Sequence, residues 1–176
     1  MHLRAIIDRS LERWVAEHLN YLPMAIPPDM ATGQMQDDWS CWLPIDSSVT
    51  PEELALLEQE LQVAFPPQYR SLLQHKHFME LHVGEVGFFS HPSTGWQDSI
   101  KKHVLKGWPR EWLLDKGFLP FAEYSDWGLW CFSTREVDPF GEYAVYLWDH
   151  DRPEQFQRVA STLESALSYE ASRATA

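Results

Sequence analysis

An Asp-His-Asp triplet at residues 149–151 is the first candidate for chemistry, because it directly follows the apolar run 143–148. Carboxylates and imidazoles serve as general acids and bases and as metal ligands. Neighbouring residues of a strand point to opposite faces, so Asp149, His150 and Asp151 need ligands from elsewhere to hold one metal ion. The triplet is therefore interpreted as a polar turn after a buried strand, in which Asp151 caps a following helix.

A histidine cluster is the second candidate, and its members are His75, His77, His82 and His91. Zinc proteases carry HExxH on a helix, with a glutamate as the base, and that motif is absent from the sequence. His75 and His77 are two residues apart, which places them on different faces of a helix. Surface or loop histidines are the favoured interpretation. A metal-dependent hydrolase that uses this cluster with Asp149 or Asp151 stays open as an alternative.

Other catalytic signatures are missing from the sequence, including GxSxG, the P-loop and GxGxxG. The adjacent carboxylates Asp37-Asp38 and Glu52-Glu53 fit solvation and helix capping. Acid–base pairs of the glycosidase type carry no such sequence signature. We expect a protein that is not an enzyme, with no catalytic residues, no metal ligands and no cofactor.

Composition and charge favour a single domain that binds protein. The chain has 176 residues, of which 44% are hydrophobic, and this suits one domain with a proper core. The formal net charge of −12 disfavours direct nucleic-acid binding and would attract a basic partner. Nine Trp, nine Phe and six Tyr indicate large aromatic contacts in the core and on a surface.

The cysteines and the chain start bear on the cellular compartment. Cys41 and Cys131 are far apart and lack zinc-finger spacing, and Cys131 is expected to be a buried free thiol. The first ten residues include Arg4, Asp8 and Arg9 and have no apolar stretch, so we expect no signal peptide. No apolar run approaches the ~20 residues that span a bilayer. These features predict a cytoplasmic protein that does not bind a membrane.

Acidic residues are concentrated at 111–154, where ten carboxylates face three basic side chains, a local net charge of −7. Trp127, Trp130, Phe140 and Trp148 lie in the same stretch. One interpretation is ordinary solvated edges. The other is an acidic, aromatic-rimmed face made from strand ends and turns, which is typical of protein–protein contacts. The candidate partner-binding residues are Asp126, Trp127, Trp130, Trp148, Asp149 and Asp151.

The elements that would position these residues can be predicted from periodicity and capping signals. Residues 2–20 predict an amphipathic helix, and the proline-containing stretch 22–48 predicts a loop. Thr50 and Glu53 predict a capping box at the start of a helix that ends near residues 65–67, where another helix begins.

The second half of the chain predicts a sheet between helices. Strands are predicted at 86–89, 118–123, 127–133 and 143–148. Helices are predicted at 98–106, 109–116 and 153–172. Successive strands without crossover helices favour antiparallel pairing. The predicted fold class is therefore α+β, with a central antiparallel meander flanked by helices.

Several stretches, taken in order, resemble the SMI1/KNR4 (SUKH) superfamily. The opening stretches are Trp-Leu-Pro-Ile at 42–45, the Glu- and Leu-rich segment 53–61 and Phe-Pro-Pro-Gln-Tyr at 65–69. The later stretches are 119–122, 127–132 and 145–151, with Phe156 as the aromatic residue that enters the last helix. The likeness covers roughly residues 42–167.

The sequence departs from the family pattern at three points. Phe65-Pro66 stands where Leu-Pro is usual, and Trp127-Gly128 replaces a Gly-Gly pair. The Asn-Gly expected near His77-Phe78 is missing. These departures concern the loop surfaces more than the core.

The resemblance implies an α+β fold and a protein-binding role that needs no catalytic residue. Many bacterial members are immunity proteins that block a toxin, often a nuclease, and fungal relatives are regulators and scaffolds. We predict an N-terminal extension, 1–38, joined to an SMI1/KNR4-like domain, 39–176, in one globular unit. The leading hypothesis is an immunity-type protein whose acidic residues occupy a basic toxin cleft. A general scaffold or regulatory protein is the alternative.

Overall fold

The structure, a computed structural model, describes residues 2–173. Its helices are α1 Leu3–Ala16, α2 Pro51–Leu61, α3 Pro67–Leu73, α4 Trp96–Lys106 and α5 Leu163–Arg173. Its strands are β1 Tyr21–Leu22, β2 Ala31–Gln36, β3 Trp39–Trp42, β4 Ile45–Asp46, β5 Lys76–His77, β6 His82–Val83, β7 Val86–Phe88, β8 Phe118–Tyr124, β9 Gly128–Val137, β10 Tyr143–Asp149 and β11 Phe156–Ala160. Two 3-10 turns, Arg110–Trp112 and Leu114–Lys116, stand where the helix 109–116 was predicted.

A six-stranded sheet forms the centre of the molecule, with the strand order β11-β10-β9-β8-β7-β6. Every neighbouring pair in it is antiparallel. Strands that are adjacent in sequence are adjacent in space, so the sheet is a meander. The predicted α+β fold with a central antiparallel sheet is confirmed.

The middle strand β9 is buried on both of its faces. Trp130 and Phe132 point into the main core, which is completed by the helices. Leu129 and Cys131 point to the other face, where they form a smaller cluster with Trp148 of β10. The side chains that cover this second cluster are Trp108, Trp112, Leu113, Phe118 and Phe156. Double-sided burial explains why β9 and β10 lack a polar/apolar alternation in the sequence.

The second helix starts as its capping signal predicts. The Thr50 hydroxyl accepts a hydrogen bond from the Glu53 N–H at 3.2 Å, and the Thr50 N–H donates to the Glu53 carboxylate at 2.8 Å. These two bonds satisfy backbone N–H groups that have no acceptor within the helix. Pro51 at the first helical position has no N–H and so needs no acceptor. Local sequence therefore determines the start of α2.

The prediction of a loop over 22–48 is wrong, because this stretch contains a three-stranded sheet in the order β1-β3-β2. Asp37 and Asp38 make the turn between β2 and β3 with positive φ angles of 48° and 67°. Aspartate tolerates this left-handed backbone, which suits a two-residue hairpin turn. All six residues of β2 are exposed, so no apolar alternation marked the strand.

The single helix predicted over 153–172 is also wrong. Residues 156–160 form strand β11, which pairs with β10, and α5 follows only at Leu163. Phe156, expected to enter the last helix, instead lies on β11 and stacks on Phe118 with ring centroids 3.9 Å apart. Phe156 and Val159 are three residues apart, a spacing that imitates a helical stripe. The open edge of β10 captures this segment as a strand.

Hydrogen bonds between distant residues tie α1 to the rest of the molecule. The Glu142 carboxylate accepts from the Gln68 N–H at the start of α3, at 3.0 Å. The Gln68 side chain accepts from the Glu164 N–H at 2.8 Å, and the Glu164 carboxylate accepts from the Leu3 N–H at 3.2 Å. Leu3, Ile6, Ile7 and Leu11 of α1 are buried in the main core. The division after residue 38 stays a prediction; that point lies in the β2–β3 turn.

Replacing Trp148 by alanine is expected to destabilise the fold strongly, because this side chain is 0% exposed and fills the second cluster. The loss of a fully buried tryptophan costs about 3–5 kcal/mol of unfolding free energy. Phe140, which is 84% exposed, provides the matched control, and Phe140→Ala should change stability by less than about 0.5 kcal/mol. Urea unfolding of both variants measures this difference, and equal losses would contradict the double-sided burial.

Candidate functional site

The turn surface is the name used here for one end of the large sheet, where the turns β6–β7, β8–β9 and β10–β11 lie side by side. Asp149 at the end of β10 pairs with Gly128 at the start of β9. The His150 N–H donates to the Trp127 carbonyl oxygen at 3.3 Å, which joins the last two turns. The Ser125 N–H donates to the Glu85 carbonyl oxygen at 2.8 Å, which joins the first two.

The β8–β9 turn carries Asp126 and Trp127. Ser125 has a positive φ of 53°, and this left-handed residue reverses the chain. Asp126 is exposed, and Trp127 keeps 37% of its surface exposed while its ring packs edge-on against Tyr124 at 5.5 Å. The turn therefore presents one carboxylate and one supported indole to solvent.

The β10–β11 turn carries the Asp-His-Asp triplet. The Asp149 carboxylate accepts from the Asp151 N–H at 2.8 Å, so it shapes the turn, while the Asp151 side chain is exposed. The His150 ring stacks on Trp108 with centroids 5.5 Å apart, and its Nε2 lies 3.6 Å from the Asp151 carboxylate. The triplet is a polar turn as expected. The prediction that Asp151 caps a helix is wrong, because β11 follows it.

Trp130 and Trp148 require a correction as partner-binding residues. Trp130 is 1% exposed and packs in the main core beside Phe121 and Tyr124. Trp148 is buried on the opposite face, and its Nε1–H donates to the Pro153 carbonyl oxygen at 3.1 Å. Neither ring has surface to offer a partner, because helices cover one side of the sheet and aromatic residues cover the other. Both instead support the turns.

The ten carboxylates of 111–154 do not converge on one face. Asp126, Asp149 and Asp151 lie on the turn surface. Glu136 lies further along β9, where it pairs with Arg158 at 2.6 Å. Phe140 also stands outside the turn surface, since it follows β9 at the other end of the strand. Sequence reasoning missed Glu85 and Trp108 at the turn surface. Gly84 beside Glu85 was a turn signal, whereas nothing in the sequence marked Trp108.

The four histidines of the predicted cluster are dispersed. His75 Nε2 lies 2.7 Å from the Asp8 carboxylate, and His82 stacks on Trp14 with centroids 4.7 Å apart. Only His77 and His91 meet each other. Within residues 2–173, no group of three or more His, Cys, Asp or Glu side chains could hold a metal ion.

His77 and His91 form a buried pair with stacked rings, and their Nδ1 atoms are 3.1 Å apart. The Ser48 N–H donates to His77 Nε2 at 3.2 Å, so the proton of neutral His77 sits on Nδ1 and points to His91. The His77 Nδ1–H also lies 3.3 Å from the His91 carbonyl oxygen, which accepts from it. His91 Nδ1 lies 3.2 Å from the Lys76 carbonyl oxygen, so the proton of neutral His91 sits on Nδ1 and is donated there, while His91 Nε2 is buried and has no partner in the described chain. Burial and the neighbouring His77 lower the pKa of His91 to about 3.

A family model for the SMI1 / KNR4 family (SUKH-1) matches residues 48–168, which include every strand of the large sheet and the whole turn surface. The chain belongs to the SMI1/KNR4 family. Membership confirms the family resemblance, and domains of this family generally bind partner proteins. The match leaves out α1 and the sheet β1-β3-β2.

No curated protein matches the chain by sequence similarity. None of the helices described between residues 2 and 173 is long and apolar enough to cross a membrane.

Acid is expected to destabilise this SMI1/KNR4 protein through the histidine pair. In the unfolded chain His91 titrates near its ordinary pKa of about 6.5. Since the folded pKa is lower, the unfolded state binds more protons between these values. The stabilisation that neutral His91 provides is complete above pH ~6.5 and is lost as the pH falls towards 3. By pH 5 the loss is about 2 kcal/mol of unfolding free energy.

The measurement is urea unfolding of the wild type and His91→Gln between pH 5 and 7.5. The wild type should have the steeper pH dependence, since the variant lacks the titrating ring. Other groups also bear on the slope. Burial lowers the pKa of His77, His82 and His103, which adds to the effect. Burial raises the pKa of Glu80 and raises that of Glu142 to about 6, which opposes it. Equal slopes, or a His91 ring that NMR finds protonated at pH 5, would contradict the burial of a neutral pair.

Proposed function

We propose that this SMI1/KNR4 protein is a cytoplasmic, non-enzymatic immunity protein of the bacterial type, which binds and neutralises a basic toxin domain through its turn surface. The observation that carries the proposal is the meeting of Asp126, Asp149 and Asp151 with the exposed indole of Trp127 at one rigid sheet end. Family membership supports a protein partner, and the net charge of −12 favours a basic one.

The mechanism is steric and electrostatic. A nuclease-type toxin has a basic cleft that holds the phosphates of its substrate. Exposed carboxylates that are already fixed on a sheet end can fill such a cleft with little loss of conformational entropy. Trp127 supplies the apolar anchor, since a partly exposed tryptophan supported by Tyr124 resembles the residues that dominate binding energy at protein interfaces.

Triple replacement of Asp126, Asp149 and Asp151 by asparagine is expected to weaken toxin binding by about tenfold to a hundredfold at low salt. Asparagine keeps the side-chain oxygen that accepts from the Asp151 N–H, so the turn is preserved while three charges are lost. The wild-type affinity should fall as salt rises, because exposed charge pairs are screened. Biolayer interferometry against the basic protein recovered from native lysate measures both effects.

A matched control removes the same number of charges outside the turn surface, with Glu12→Gln, Asp29→Asn and Glu52→Gln. These residues lie on α1, before β2 and on α2, and all are exposed. The control variant should bind like the wild type. If both variants lose the same affinity for the toxin, the effect comes from net charge and not from the position of the carboxylates on the turn surface. An unchanged affinity in the turn variant would overturn the proposal and leave the general scaffold role, with a partner that binds elsewhere.

A further inference from the structure

A cavity of about 440 Å³ lies on the β1 side of β3, next to the turn of the hairpin β2–β3. The residues that line it are His18, Leu19, Tyr21, Gln36, Asp37 and Trp39. All of them precede residue 48, where the family match begins. The cavity is therefore a feature that this chain adds to the SMI1/KNR4 domain.

Strand register places the two large rings of the cavity on one face of the small sheet. Tyr21 pairs with Cys41, and Trp39 stands two residues before Cys41 on β3. Opposite residues of a strand pair share a face, as do alternate residues of one strand, so Tyr21 and Trp39 are diagonal neighbours. Such positions lie about 7–8 Å apart, which leaves room for a small group between the rings. Trp39 keeps 47% of its surface exposed.

The walls of the cavity are fixed by the backbone. His18 follows α1 with a positive φ of 56°, which turns the chain towards β1, and Asp37 holds the hairpin turn with a φ of 48°. The Asn20 side chain donates to the Trp42 carbonyl oxygen at 2.6 Å, and the Trp42 N–H donates to the Asn20 carbonyl oxygen at 2.9 Å. These bonds hold the segment before β1 against β3, so the cavity is preformed.

The cavity favours a positively charged occupant. Asp37 is exposed and forms no ion pair with any residue of the described chain. Residues 14–69 contain nine carboxylates and no lysine or arginine. The faces of aromatic rings are also negative. The carboxylate and the ring faces thus attract the same kind of group.

Hydrogen-bonding capacity selects the kind of cation. A primary ammonium has three N–H donors and a guanidinium has five. Leu19 and the Trp39 indole line the cavity and offer no acceptor to such donors. A donor that loses water against these walls without finding an acceptor weakens binding. A quaternary ammonium group has no N–H donor, and aromatic residues are its usual partners in proteins.

We propose that this cavity binds a quaternary ammonium group, which sits between the rings of Tyr21 and Trp39 while the Asp37 carboxylate balances its charge. Free choline carries this group, and so does a trimethylated lysine side chain of a protein. The site is separate from the turn surface and does not depend on toxin neutralisation.

The test is an NMR titration of the full chain with choline and with dimethylbutanol, its neutral isostere in which carbon replaces the charged nitrogen. Choline should bind with a Kd of roughly 1–10 mM, as expected for a few contacts of this kind. The neutral alcohol should bind about tenfold more weakly, because it has the shape without the charge. The Trp39 indole N–H signal, assigned by its absence from the spectrum of Trp39→Ala, reports on the site.

Three variants locate the site, and saturation transfer to the choline methyl protons measures each of them. Trp39→Ala should weaken choline binding about three- to tenfold. Asp37→Asn should weaken it about two- to fivefold, and asparagine keeps the left-handed turn. Asp38→Asn is the matched control, since it removes one charge from the same turn but lies outside the cavity lining. Its effect should stay below about twofold, because solvent and salt screen the more distant charge.

Peptides with trimethyllysine or unmodified lysine separate the two sources of the group. Tighter binding of the trimethyllysine peptide than of choline assigns the site to a modified protein, and the reverse order assigns it to free choline. The proposal is overturned if dimethylbutanol binds as tightly as choline, or if the lysine peptide binds as tightly as the trimethyllysine peptide. It is also overturned if Trp39→Ala or Asp37→Asn binds choline like the wild type.

Discussion

Double-sided burial of β9 and β10 is the constraint on which the rest of the structure depends. Trp130 and Phe132 fill one face while Leu129, Cys131 and Trp148 fill the other, so the sheet must be covered twice. Helices provide one cover, and the segment 107–118 provides the other with its aromatic side chains. The Cys131 thiol is so deeply enclosed that burial raises its pKa far above the ordinary value, which keeps it protonated and unreactive.

The same burial fixes the positions of the turns at the strand ends. A strand held on both faces cannot slide by one residue without moving buried side chains into solvent, so the positions of its ends are fixed. Asp126, Trp127 and Asp149 therefore keep their relative places without any partner. Trp130 and Trp148 contribute to this surface from inside the molecule, by fixing the strands that carry it. A preformed surface loses little conformational entropy when a partner binds to it.

The N-terminal part is joined to this frame by buried side chains and by hydrogen bonds. Burial of α1, together with the hydrogen bonds from Leu3 through Glu164 and Gln68 to Glu142, connects the chain start to α5, α3 and the β9–β10 loop. The hairpin β2–β3 extends from this anchored part and leaves its outer edge open. The molecule thus has a sheet end that lies within the family match and a sheet edge that lies outside it. An exposed tryptophan lies at each of them, Trp127 at the sheet end and Trp39 on β3 beside the sheet edge.

The sequence by itself determined the features that rest on local chemistry. The Thr50–Glu53 capping box, the strands β8 to β10 and the polar turn at 149–151 follow from hydrogen bonds and apolar runs within a few residues. Only the tertiary structure decided which tryptophans are exposed, because an all-apolar strand gives no sign of which face is covered. It also decided that 156–160 is a strand, since the open edge of β10 supplies backbone partners that a helix would otherwise find within itself. The exposed strand β2 depends on its pairing with β3, and residues far apart in sequence meet at the turn surface only through the order of strands in the sheet.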